Sequence, residues 1–371
     1  MVEDQAAPGK GPYTPSLASR QTFCPKNGGW RAAGSGDKNR NMGRVIRSAL
    51  FAPILLIAAG SVAFAADCGP LTMVNSVPIT VKGNRILVPV TLNGAKATFM
   101  LDTGGSVSQV TPSLARALKL AVSQSPVKLM DMYGYASTEE ASVTFGLGRL
   151  QDKTAELHIA TRDFDKNDNF DGILAGDYMG AYDIELDLAG GKLNYFSPDH
   201  CAARVIYWPA AAIAAVPMLF RDGHMRVTAN INGKDVRAII DTGAPLSSIK
   251  GAEAKRLFDV DENTAGNIDA GTVDGKKQFI HIFDTMGLDG IAMGKPRILV
   301  MPDLVGRHDV NNDYVTGSRV HRVDDEDVTE PPLIIGMNMI SKLHFFIAFG
   351  EKKLYATAAS APAAPAPAKA N

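Results

Sequence analysis

The sequence is short of the features that mark several large protein classes. Its formal net charge is -1 over 371 residues, so composition supplies neither a basic face for nucleic acid nor an attraction to an anionic membrane surface. The seven histidines, His158, His200, His224, His281, His308, His321 and His344, show no metal-ligand spacing, and His-Glu-x-x-His is missing. That excludes the common zinc hydrolase pattern. A Gly-x-Ser-x-Gly elbow, a phosphate loop and a Rossmann glycine pattern are also missing, so nothing predicts a metal or a cofactor. Two acidic stretches, Asp165 to Gly172 and Asp309 to Gly317, fail as calcium loops: Phe170 and Tyr314 stand where glycine is needed, and neither stretch has the closing Glu.

Long apolar runs are equally scarce. The first 41 residues lack apolar periodicity and are set apart from the fold as an N-terminal extension, with Met42 as the expected start of translation. Residues 42–66 place Arg44 and Arg47 ahead of an apolar core and end in Ala63-Phe64-Ala65. This is the pattern of a secretory signal peptide cut near Ala65 or Ala66, which predicts a periplasmic or secreted product with no stable membrane insertion. The alternative is a retained anchor, since the stretch is nearly long enough to span a bilayer. Asp67 directly before Cys68 argues against a lipoprotein anchor. Of three cysteines, cleavage removes Cys24 and leaves Cys68 and Cys201 in an oxidising compartment. A bridge between them would stabilise by roughly 4 to 5 kcal/mol through chain entropy; the alternative is two unpaired buried thiols.

What the chain does contain is a repeat. "FMLDTGGSVSQV" (Phe99 to Val110) returns as "AIIDTGAPLSSI" (Ala238 to Ile249), with Asp102 and Asp241 separated by 139 residues. The same shift aligns Val77-Pro78 with Val216-Pro217, Asn93-Gly94 with Asn232-Gly233, and Ser108 with Ser247. In each copy an apolar run, an Asn-Gly turn and a second apolar run predict a β-hairpin leading into Asp-Thr-Gly. A short helix follows, with Thr111 as cap and Pro112 in its first position in one copy, and "GAEAKRLF" at the equivalent place in the other. Gly176 in "DGILAGDYM" pairs with Gly336 in "PLIIGMNMI" at a shift of 160. The difference in shift places an insertion at Gly306 to Pro332. Each half ends in a strand-like hairpin, which divides the chain into residues 67–205, 206–357 and an Ala/Pro tail, 358–371.

A lone Asp-Thr-Gly is ordinarily a turn or helix-entry signal. Two in register, each with a later apolar-apolar-Gly, resemble the aspartic proteases of the pepsin and retropepsin kind. Over Val77 to Thr357 the arrangement is similar to bacterial exported proteins with two tandem retropepsin-like domains. The resemblance implies an all-β-dominated, bilobal pepsin-like fold of two retropepsin-like β-barrel lobes with short helices. It also implies an aspartic endopeptidase whose catalytic residues are Asp102 and Asp241, one from each half. Two carboxylates about 3 Å apart cannot both ionise, so one keeps a proton while the other activates water. Gly104 and Gly243 are expected to let the backbone turn and approach its twin. Thr103 and Thr242 would bond across to the opposite loop, and the segments containing Gly176 and Gly336 would pack behind.

The resemblance places a flap at Lys128 to Val143, with Tyr133 and Gly134 at its tip, and leaves "NIDAGTVDGKKQF" as a second flap. Its substrate would be an extended polypeptide, and a monomer suffices because both halves share one chain. Gly105 and Ala244 follow the Asp-Thr-Gly where pepsin-like enzymes usually have a hydroxyl that lowers the carboxyl pKa, so activity is expected to reach weakly acidic or neutral pH. Two alternatives stay open: a catalytically silent peptide- or partner-binding module of this fold, and a dyad assembled between chains.

Overall fold

The described residues of the computed structural model are 68–130, 136–164, 169–302 and 330–359. The N-terminal extension, the signal segment, the flap tip with Tyr133 and Gly134, most of the 306–332 insertion and the tail from residue 360 lie outside them. Among the described residues the α-helices have six, eight and four residues, and strands dominate. The chain is therefore all-β dominated.

The two halves begin with the same hairpin. Strands Arg85–Leu92 and Ala95–Leu101 close on Asn93 and Gly94 with φ of 51° and 85°, and strands His224–Ile231 and Lys234–Ile240 close on Asn232 and Gly233 with φ of 48° and 81°. Positive φ at both central residues is what a two-residue turn needs to match strand twist, and Asn-Gly supplies it at low cost. The first strands bury alternate residues: Ile86, Val88, Val90 and Leu92 in one half, Met225, Val227, Ala229 and Ile231 in the other. Period-two burial puts these side chains on one face, where they build the core. The helix Pro112–Ala117 is capped by Thr111, whose Oγ1 accepts from Leu114 N–H; the helix Gly251–Phe258 starts after Lys250, which gives no side-chain cap.

Each half builds its own sheet, of eight strands in the first and ten in the second, and a six-stranded sheet is shared. The shared sheet runs Met73–Pro78, Lys192–Phe196, Asp183–Asp187, Leu343–Ala348, Lys353–Ala358 and Ala214–Pro217. Its central seam joins the halves, with Ile184 opposite Ile347 and Leu186 opposite Phe345. Those four side chains enter the main core, while Phe196, Phe346 and Tyr355 form a second cluster with Val205, against which Trp208 packs.

Two buried carboxylates belong to this second layer. Glu185 accepts from His344 Nε2 at 2.8 Å, Tyr207 OH at 2.6 Å and Asn194 Nδ2 at 2.7 Å. Burial alone would raise its pKa, but the three donors overcome that and hold it below the usual range. Asp183 pairs with His200 Nε2 at 2.6 Å and accepts the Phe349 N–H at 2.9 Å. Next to His200, Cys201 is disulfide-bonded to Cys68, with their Cα atoms 4.8 Å apart.

Candidate active site

Two strand ends carry the site. Ala95–Leu101 runs parallel to Gly172–Leu174, and Lys234–Ile240 runs parallel to Leu333–Ile335. The ladder continues one residue beyond each strand, as Asp102 N–H donates to Leu174 O and Asp241 N–H to Ile335 O, both at 2.9 Å. Strands buried on both faces read as continuous apolar runs, which is why each Asp-Thr-Gly stands behind one.

The loops lock to each other through their threonines. Thr103 Oγ1 donates to Ile240 O at 2.6 Å and accepts Thr242 N–H at 3.0 Å; Thr242 Oγ1 donates to Leu101 O at 2.7 Å and accepts Thr103 N–H at 3.1 Å. Both threonines are at most 2 % exposed. Each hydroxyl thus serves as donor and acceptor across the seam, leaving no buried polar atom of the pair unsatisfied.

Gly104 and Gly243 are required for space, and neither adopts a positive φ. A Cβ on Gly104 would lie 2.2 Å from Asp241 Cγ, and one on Gly243 would lie 2.4 Å from Asp102 Oδ1. The first loop turns at Gly104, with Gly105 N–H donating to Asp102 O at 3.3 Å, and the loops approach so closely that each carboxyl rests against the opposite half's glycine. Gly104 N–H donates to Asp102 Oδ1 at 3.0 Å; Gly243 and Ala244 N–H donate to Asp241 Oδ1 at 2.8 and 3.1 Å.

Both carboxyls are raised above the ordinary aspartate range. For Asp102 the causes are burial, then the charge of Asp241, against which the N–H groups of Gly104 and Gly105 pull downwards. Burial also raises Asp241, opposed by its two backbone donors, by a hydrogen bond from Asp102 and by His224. With both carboxyls raised and facing each other, the pair shares one proton.

Behind the loops the two halves differ in register from the sequence expectation. Ala175 N–H donates to Ser108 Oγ and Gly336 N–H to Ser247 Oγ, both at 2.9 Å. Ala175 is thus the structural equivalent of Gly336, and Gly176 corresponds to Met337, whose N–H groups donate to Gly105 O and Ala244 O. The two glycines answer different constraints. A Cβ on Gly176 would meet Gly223 O of the second half at 1.9 Å, whereas one on Gly336 would meet Leu246 C of its own active loop at 2.6 Å.

The corrected register exposes a pair that sequence reasoning missed. Asp177 accepts Ser108 N–H at 2.8 Å and Ser108 Oγ–H at 2.6 Å, and Asn338 Oδ1 accepts Ser247 N–H at 2.7 Å and Oγ–H at 2.8 Å. The repeated Ser was the available signal, since a polar residue with a buried hydroxyl needs a partner in each half. His224, which reaches Gly104 O at 2.9 Å, was likewise missed.

The flap segment forms an antiparallel hairpin of Ala121–Met130 with Ala136–Leu147, and its tip with Tyr133 and Gly134 lies outside the described residues. In the second half Ile268–Val273 and Lys276–Ile282 pair in the same way, at the corresponding edge of their sheet.

Comparison with known proteins places the chain. A search among curated proteins found no match. Among solved structures, the aspartic proteinase of Irpex lacteus aligns over 78% of this chain and 98% of its own, at 14% identity and a TM-score of 0.44. Basic 7S globulin from soybean aligns over 79% and 96%, at 10% identity and a TM-score of 0.45. The sequence model of the aspartyl protease family matches residues 88–178 and 227–339, one segment in each half and together more than half of the chain. The chain belongs to the aspartyl protease family.

Proposed function

We propose that this protein is an aspartic endopeptidase in which Asp102 and Asp241 form one catalytic dyad within a single chain. The observation that carries this reading is the reciprocal seating of each carboxyl against the other half's glycine, locked by the crossed threonine bonds. A single chain supplies both carboxyls, so a monomer is sufficient, and activity per molecule should be unchanged on dilution.

The shared proton divides the roles: the ionised carboxyl takes a proton from a water held between the two, and its protonated partner donates to the carbonyl oxygen of the scissile peptide. The water oxygen bonds to the carbonyl carbon. The pair then gives a proton to the amide nitrogen and takes one back from a hydroxyl of the gem-diol as the C–N bond breaks, so it is left with one proton as before. Backbone N–H groups fix Oδ1 of each aspartate and keep both carboxyls oriented without charge of their own.

Substrates on this reading are extended polypeptides, which would pair as an added strand with the hairpin edges. The disulfide and the 42–66 leader support a periplasmic or secreted location. With Gly105 and Ala244 in place of hydroxyl-bearing residues, and with Asp102 raised to about 7, activity extends to weakly acidic and neutral pH.

The test is cleavage of a randomised peptide library by the protein from pH 3 to 8, beside Asp102→Asn and a transition-state isostere. Cleavage abolished by both supports the dyad. A folded protein that cuts nothing at any pH points instead to a silent peptide-binding module, and cleavage confined below about pH 4 contradicts the raised pKa.

A further inference from the structure

The second half sends one turn into the first. Between strands Leu219–Arg221 and His224–Ile231, Asp222 and Gly223 have φ of 53° and 80°. Gly223 packs its carbonyl against Gly176, and a Cβ on Gly223 would lie 2.9 Å from Ser106 Cα. That contact delivers His224, whose Nε2 donates to Gly104 O at 2.9 Å and lies 3.5 Å from Ser106 Oγ. The carbonyl that receives this bond belongs to the Gly104–Gly105 peptide, whose N–H donates to the main-chain carbonyl of Asp102 at 3.3 Å. Donation to the carbonyl end of a peptide polarises its N–H end, so His224 is linked to Asp102 through one peptide group. The 139-residue shift that relates the halves would place Arg85 at the corresponding position, but its guanidinium lies 5.6 Å over the Phe170 ring. The first loop is thus contacted by an imidazole from the opposite half, while Arg85 is placed over Phe170.

We propose that His224 is a positioning residue that holds the first Asp-Thr-Gly-Gly loop from the opposite half and, when protonated, biases the dyad towards its singly ionised, working form. This rests on the catalytic reading above. The groups facing His224 are few. From the first loop it is Ser106, beside the Gly104 carbonyl, and from the second Asp241, whose carboxyl His224 draws downwards. Asp177, beside Gly176, is committed to Ser108. On the histidine's own turn Asp222 lies 3.6 Å from Arg221 and 3.9 Å from Arg226, so its charge is met locally. A positive charge favours carboxylate over carboxylic acid, so removing it makes the first ionisation of the pair harder.

His224→Gln keeps an N–H donor for Gly104 O and removes the charge; His224→Ala removes both. In the Gln variant the acid limb of the kcat/KM profile should move up by about half a pH unit, a ~3-fold loss at fixed pH on that limb. A limb that coincides with wild type overturns the proposal, because a purely structural histidine is replaced by Gln without moving a pH profile. A second measurement does not need turnover: the imidazole proton resonance of His224, assigned by its loss in His224→Gln, is titrated in the wild-type chain and in Asp241→Asn. Reciprocal coupling requires the titration midpoint to fall in Asp241→Asn. An unchanged midpoint overturns the proposal even if the wild-type chain cuts no peptide, and that absence of cleavage would overturn only the catalytic reading.

Discussion

Replacing Asp102 by Asn should abolish cleavage and, at neutral pH, make the protein more stable. The folded chain raises the Asp102 carboxyl from its ordinary 3.8 to about 7, chiefly by burial and by the adjacent Asp241. A raised folded pKa means that the native state binds the proton more tightly than the unfolded chain does. Its contribution to stability is fully present below pH ~3.8 and is lost as pH rises through ~7. At about 1.4 kcal/mol per pH unit the whole interval is worth at most about 4 kcal/mol. Asn presents nearly the same shape and keeps an acceptor for Gly104 N–H, yet it carries no charge to be forced into the cleft. Calorimetric melting at pH 3.5, 5 and 7.5 would follow the difference. The two proteins should melt together at pH 3.5, and the variant should gain steadily to a lead approaching ~10 °C at pH 7.5, given about 2–4 °C per kcal/mol for a chain of this size. A lead of constant size at all three pH values, or a variant that melts earlier at pH 7.5, would refute the argument.

Three further outcomes follow from the geometry. Thr103→Val removes the hydroxyl that serves Ile240 O and Thr242 N–H in a buried seam and should cost about 2–4 kcal/mol in urea denaturation, while Thr103→Ser should recover most of it. Asp177→Asn leaves one oxygen for two donors, because Ser108 N–H and Oγ–H are met by different carboxylate oxygens, and should cost about 1–3 kcal/mol; Asn338→Asp sets a carboxylate against the Arg297 carbonyl that Asn338 Nδ2 now serves at 2.9 Å and should cost about as much. Gly176→Ala must displace the Gly223 carbonyl and should destabilise by about 1–3 kcal/mol in the same assay; a melting curve unchanged from wild type would show that the 222–224 turn is not seated there.

The active loops were legible in the sequence because their constraints are local. Asn-Gly must close the hairpins, an apolar run must lie behind each Asp-Thr-Gly, and both recur at one shift. The equivalence of Ala175 with Gly336 was hidden because a glycine one place along, Gly176, attracts the alignment although it makes room for a different neighbour. Strand Asp183–Asp187 misleads in another way. Its alternation of acidic and apolar residues reads as a strand half exposed to water, yet both faces are covered. The acidic face meets His200 and Tyr207 from the segment that follows the hairpin and His344 from 159 residues away, and no local pattern announces such partners. His224 escaped for the same reason, since its contact lies 120 residues away in sequence.

The shared six-stranded sheet also sets when this protein can exist. Glu185 must wait for a partner 159 residues further along the chain, and Asp183 for one 166 residues further. Contacts of such long range close late and make folding slow. While the second half is still being synthesised, the first half has an open sheet edge, two carboxylates that each lack one partner, and one of the two Asp-Thr-Gly loops. In a nascent or truncated chain the two loops are consequently unpaired, and the shared sheet is complete only with the last hairpin, 343–358. The fold itself times the assembly of the site.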